Sequence, residues 1–192
     1  AHKKLCSRLS KDRKRRGEAV CTVDDRKEEG MSCMQQGQLG GALFSFQAGL
    51  LQAQFEGRSA DTQAGFLSDI ACCLHGQGNL PASCAKLREA LALPTESLNF
   101  LLAALVNLGN LLLVTGDIPS ALVEFQKAIE ADEECGDAHL GVANCLGKSG
   151  KHAESMASAQ TALDLSDGKN PNALLTLANG QSGTDDLDGA IV

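Results

Sequence analysis

The sequence has no tryptophan and no tyrosine, and six phenylalanines are its only aromatic residues. Sandwiches, barrels and parallel sheets draw on aromatic and β-branched side chains, so so few rings argue against an all-β or α/β fold. Proline is scarce as well, with four in 192 residues, which leaves long stretches free to be helical. No run of eighteen apolar residues occurs, and the longest, Phe100 to Val106, suits a buried helix, so no membrane span is expected. The first segment is basic with no apolar stretch behind it, unlike a secretory signal. The chain opens at Ala1 rather than Met, which suggests a processed, trimmed or partial product. Neither a Gly-x-Ser-x-Gly elbow nor a Cys-x-x-Cys pair is present, and no Asn-x-Ser/Thr acceptor occurs.

What the chain does contain is Ala, Leu, Gln and Glu, which favour helix, and 43% hydrophobic residues, enough for a core. Its eight cysteines are irregularly spaced and fall mostly inside helical patterns. They read as small buried hydrophobes in a reducing, intracellular compartment. The cytoplasm fits best, with the nucleus or an organelle such as the cilium as alternatives. The net charge of −7 hides an asymmetry: residues 1–16 sum to +7 and residues 17–192 to −14. An acidic body is not a nucleic-acid surface. The basic head (Lys3, Lys4, Arg8, Lys11, Arg13, Lys14, Arg15, Arg16) is expected as a flexible arm over residues 1–17. It is open to three readings: an import signal, a contact for nucleic acid or anionic lipid, or a solvated tail.

Internal repetition organises the rest. Leu105, Leu108, Gly109 and Leu112 share one helix face, Gly116-Asp117 breaks it, and Ala121, Phe125 and Ala128 share the face of a second helix. Asp117 is placed to cap that second helix, and Pro119 sits in its first turn, where a missing N–H costs little. The same order recurs around Gly37, Gly78, Gly150 and Asp185, at intervals of 41, 38, 34 and 35 residues. The matching residues are Gly30, Ala42, Phe46 and Gly49; Ala71, Leu87 and Ala90; Ala143, Ser155, Ala159 and Ala162; and Ala178 and Ala190. Small residues at these positions let two helices approach closely.

This pattern resembles the tetratricopeptide repeat: a large apolar residue, Leu-Gly, a turn glycine, then alanine, a large apolar residue and alanine. Leu105 and Leu112 stand where the family usually has aromatics. The resemblance implies an all-α, right-handed α-solenoid of about four and a half to five repeats, near 18–57, 60–97, 99–135, 136–169 and an incomplete 170–192. Helices are predicted over 18–36, 39–54, 61–76, 80–93, 99–114, 118–132, 137–148, 152–166, 171–182 and 186–192. The last stops at Ile191-Val192, inside a helix, which suggests a chain that continues or an end that a partner covers.

In this family the first helix of each hairpin lines a groove, and the residue after the small position points into it. Here that residue is Asn110, Asn144 and Asn179, with Asn107 nearly a turn before Asn110. An asparagine amide offers one acceptor and two donors and can hold the backbone of an extended peptide without reading its sequence. Lys148 is the nearest cation, and Leu113 and Val114 add an apolar wall suited to a helical or apolar ligand. The carboxylate-clamp version of the groove is not expected, because Ala103, Val106, Leu140 and Leu175 stand where cations would be needed.

The stretch Gly141 to Ser149 looks like a phosphate-binding loop but has five residues between its glycines and follows no strand, so no nucleotide is expected. His2, His75, His139 and His152 fit no metal or triad pattern, and neither metal nor cofactor is expected. Cys72 is the thiol placed to face the groove. The expected role is a non-enzymatic scaffold or adaptor within a multi-subunit complex, with proteins as partners and nucleic acid touched only through the basic arm. The alternatives are a regulatory or substrate-docking domain of a larger enzyme, or an RNA-associated assembly subunit.

Overall fold

The computed structural model describes residues 21–189, and every regular element among them is an α-helix. The helices are α1 (Val23–Gln35), α2 (Leu39–Glu56), α3 (Ala60–Gly76), α4 (Leu80–Leu91), α5 (Leu98–Thr115), α6 (Ile118–Ala131), α7 (Gly136–Lys148), α8 (His152–Leu165) and α9 (Pro171–Gly189). They fall into two compact units, Ala1–Thr95 and Glu96–Val192. The first contains α1–α4 and the second α5–α9. The residues of the basic arm lie outside the described residues.

Local chemistry sets the helix ends. Thr22 and Asp25 form a reciprocal capping box at α1, with Thr22 N–H donating to Asp25 at 2.6 Å and Asp25 N–H to Thr22 Oγ1 at 3.1 Å. This starts α1 at Val23, so the predicted start at residue 18 is corrected; residues 18–20 lie outside the described part. Asn79, Ser97 and Asp117 cap α4, α5 and α6, accepting from the N–H groups of Ala82, Phe100 and Ser120. Between the paired helices stand Gly37, Gly78, Gly116 and Gly150, with φ of +72°, +78°, +85° and +76°. That left-handed conformation costs a side-chain-bearing residue about 1–2 kcal/mol, which is why glycine recurs at the turn.

Small residues close the hairpins. Gly30/Ala42, Ala71/Ser83, Gly109/Ala121 and Ala143/Ser155 each stand twelve residues apart, and all eight residues are buried. Four residues further on, Phe46, Leu87, Phe125 and Ala159 are 0%, 2%, 0% and 0% exposed. At Gly109 a Cβ would lie 2.7 Å from Cε1 of Phe125, so the ring occupies the space a side chain would need. In the second and fourth hairpins the crossing carries a serine. The Ser83 hydroxyl donates to the Ala71 carbonyl and the Ser155 hydroxyl to the Ala143 carbonyl, both at 2.7 Å. A buried hydroxyl is thereby satisfied at the point of closest approach.

Successive hairpins nest by the same means within each unit. Gly49 of α2 leaves room for Phe66 of α3, and Gly141 of α7 for Phe125 of α6. Leu140, Ala162 and Ala173 then join α7, α8 and α9 in a small apolar cluster with Leu163.

The fifth repeat departs from expectation. A turn at Asp185 and a second helix over 186–192 were predicted, but α9 runs unbroken from Pro171 to Gly189. Asp185 stands where the other four turns have glycine, so the left-handed turn is disfavoured. With no returning helix among the described residues, Ala178 is exposed although its counterparts are buried, and Leu174 and Leu175 are 50% and 60% exposed. Gly180 makes the close contact instead, against Met156 of α8.

α5 also bears on the membrane expectation. It is 18 residues long with a mean hydropathy of 1.9, long and apolar enough by length and composition to cross a membrane. Asn99, Asn107 and Asn110 interrupt its apolar run, but it carries no charge. In this fold its Leu105, Leu108, Gly109 and Leu112 are buried.

Candidate functional site

Within the second unit, α5, α7, α8 and α9 enclose a groove of about 350 Å³. Asn144, Gly147 and Lys148 of α7 form one wall, and Thr176, Asn179 and Gly180 of α9 form the other. His152 and Ser155 from the start of α8 and Leu113 from α5 complete it. The walls approach because small residues lie behind them. Gly147 sits close to Ser155, where a Cβ would be 3.2 Å from Oγ, and Gly180 sits against Met156.

Asn144 is half-buried, and its Oδ1 lies 3.1 Å from the Thr176 hydroxyl, which also lies 2.9 Å from the Asn172 carbonyl. The Asn144 amide thus sits beside α9 and brings one acceptor and two N–H donors to the groove. Asn179 stands 35 residues further along and is exposed, a second amide on the opposite wall. Lys148 is exposed, and no Asp or Glu lines the groove. In a chain of net charge −7, this groove carries a cation and amide donors without a carboxylate. Leu113, 8% exposed, supplies an apolar floor.

Four of the six residues expected to bind a partner thus meet here: Leu113, Asn144, Lys148 and Asn179. Asn107 and Asn110 do not line this groove; both lie exposed on α5. Leu140, expected at a groove position, is core instead. His152, Thr176 and Gly180 were not anticipated. The signal for Thr176 and Gly180 was there: each stands 35 residues after Gly141 and Cys145, both buried first-helix residues.

Other sequence-singled groups have ordinary roles. Gly141 to Lys148 is continuous helix and Gly150 its left-handed end, not a phosphate loop. His139 Nε2 lies 3.0 Å from the Glu133 carbonyl. Cys72 is exposed, yet partial desolvation and the neighbouring Asp69 carboxylate push its thiol pKa up, which disfavours the reactive thiolate. Asp69 is itself pushed up by burial, opposed by Lys27 at 3.4 Å.

No family model and no curated protein matches the sequence. Solved structures do match. The crystal structure of MamA protein is 16% identical over 88% of this chain and 86% of that one, with a TM-score of 0.67. A tetratricopeptide repeat protein from Parabacteroides merdae is 16% identical over 86% of this chain and 61% of its own length, at 0.70. The apo form of RapI is 14% identical over 94% of this chain and 54% of its own length, at 0.77.

This is the tetratricopeptide-repeat fold. The described residues hold four helix pairs and a lone fifth first helix, an all-α arrangement of the α-solenoid class. It spans little more than half the length of RapI. In tetratricopeptide terms, Asn144 and Asn179 occupy the same position of consecutive repeats, and the groove lies between the first helices that carry them.

Proposed function

We propose that the chain is a non-catalytic protein-interaction scaffold, working inside a larger assembly, and that the groove of the second unit holds an extended segment of a partner protein. The observation that carries this reading is that two amides, Asn144 of α7 and Asn179 of α9, line the same groove. Asn144 offers donors to backbone carbonyls. Asn179 offers an acceptor as well as donors to the same strand of backbone. Lys148 favours a guest that brings a negative charge, and Leu113 takes one apolar side chain. The walls are helices locked by buried small residues, so little ordering is needed when the guest enters.

The free thiols of Cys73, Cys84 and Cys145 are buried as small apolar residues, which supports a reducing intracellular compartment. Burial raises the pKa of Cys73 and of Cys145 to about 11. These thiols are therefore packing groups and poor nucleophiles.

Selection of binders from a displayed random-peptide library tests the assignment. Peptides recovered on the full chain should lose about tenfold in affinity for the Asn144→Ala, Asn179→Ala double variant, the sum of two modest hydrogen-bonding contributions. Recovery of no peptide, or an unchanged affinity in the double variant, refutes the groove as a peptide site.

A further inference from the structure

Two contacts in the groove compete for one proton. The Thr176 hydroxyl lies 2.9 Å from the Asn172 carbonyl and 3.1 Å from the Asn144 amide oxygen. Both of those partners are acceptors, and a hydroxyl has a single proton to donate. The Asn172 carbonyl has the stronger claim on it. It is the nearer of the two, and it is the partner that helical hydroxyls of this unit take elsewhere. Ser158, Thr161 and Ser182 each donate to the carbonyl four residues back, at 3.2, 3.2 and 3.3 Å. Ser149, at the end of α7, donates to the Cys145 carbonyl at 2.9 Å.

With its proton given to Asn172, Thr176 Oγ1 faces Asn144 as an acceptor. An amide oxygen in that place sets two lone-pair groups 3.1 Å apart with no hydrogen between them. Half a turn about the Cβ–Cγ bond of Asn144 exchanges its oxygen and nitrogen, which occupy nearly the same space, and brings an N–H to Oγ1 instead. Thr176 then donates to Asn172 and accepts from Asn144, and each contact holds a proton.

We infer that Thr176 orients Asn144, holding one amide N–H so that the amide oxygen and the second N–H face the groove. Thr176 is a positioning residue, and the consequence falls on the guest. A residue in an extended chain turns its own N–H and C=O to the same side. The groove-facing edge of Asn144, one acceptor and one donor, matches that pair, so one guest residue is held there by both of its backbone groups. Proline, which has no N–H, is excluded at that guest position. The guest's part of this inference rests on the groove being a peptide site; the orientation of Asn144 does not.

Nuclear magnetic resonance of the chain without a guest tests the orientation. One Asn144 side-chain N–H proton should show an Overhauser contact with Hβ of Thr176. Its chemical shift should move in Thr176→Val and stay in Thr176→Ser, with helical circular dichroism unchanged in both. No such contact, or a shift indifferent to Thr176→Val, overturns the orientation. The guest is probed with a peptide recovered on the full chain from a displayed library and remade with each backbone amide in turn replaced by an ester, which deletes one N–H. One position should lose about fivefold in affinity, the worth of one hydrogen bond, and that loss should vanish in Asn144→Ala. Proline at that position should bind more weakly still. If no ester loss depends on Asn144 while the Asn144→Ala, Asn179→Ala double variant still weakens the parent peptide, the inference falls and the groove assignment stands. If no peptide is recovered, or the double variant binds as the wild type does, the groove assignment falls and takes the guest's part with it.

Discussion

The first and third hairpins reach close helix contact by a different route from the second and fourth. In the former, glycine lies under a phenylalanine ring: Gly30 under Phe46, Gly109 under Phe125. In the latter, alanine meets serine, and the hydroxyl bonds to the alanine carbonyl across the crossing. One solution fills the space with apolar surface, the other ties two backbones with a hydrogen bond. The geometry that the repeat demands is a short distance between two helices, and either chemistry supplies it.

The largest effect expected from breaking this comparison is at Phe125. Its ring is fully buried and touches the glycines of both α5 and α7, so Phe125→Ala should cost about 3–5 kcal/mol in denaturant unfolding. Next comes Gly109→Ala, which sets a methyl group 2.7 Å from the same ring and should cost about 1–3 kcal/mol. Ser155→Ala removes the hydroxyl bond of the fourth hairpin without opening a cavity, and should cost about 1 kcal/mol by the same measurement. The smallest effect is at Ala178. It holds the position of Gly109 and Ala143 but faces solvent, so Ala178→Leu should change stability by less than about 0.5 kcal/mol. A cost there like that at Gly109 would mean that a second helix does cover α9.

That last contrast marks how far the sequence could be read. Four turn glycines, their small partners twelve residues on, and the cap Asp117 were legible because each answers a local demand: a left-handed φ, a close contact, an unpaired N–H. Helix ends from α2 to α8 fell within two residues of expectation for the same reason. Periodicity at α9 placed Ala178 correctly in the series but could not show whether a helix returns to cover it. The site was half legible. Asn144 and Asn179 were found from their place after the small residue. Asn107 and Asn110 obey similar spacing on α5 and yet lie outside the groove, because a groove depends on which helices flank a wall.

The most direct test of the scaffold assignment sets these asparagines against each other. Isothermal titration of a selected peptide into Asn144→Ala and into Asn110→Ala should show severalfold weaker binding for the first, about one hydrogen-bonding contribution, and wild-type affinity for the second. Equal losses, or a loss confined to Asn110→Ala, would contradict the placement of the guest between α7 and α9.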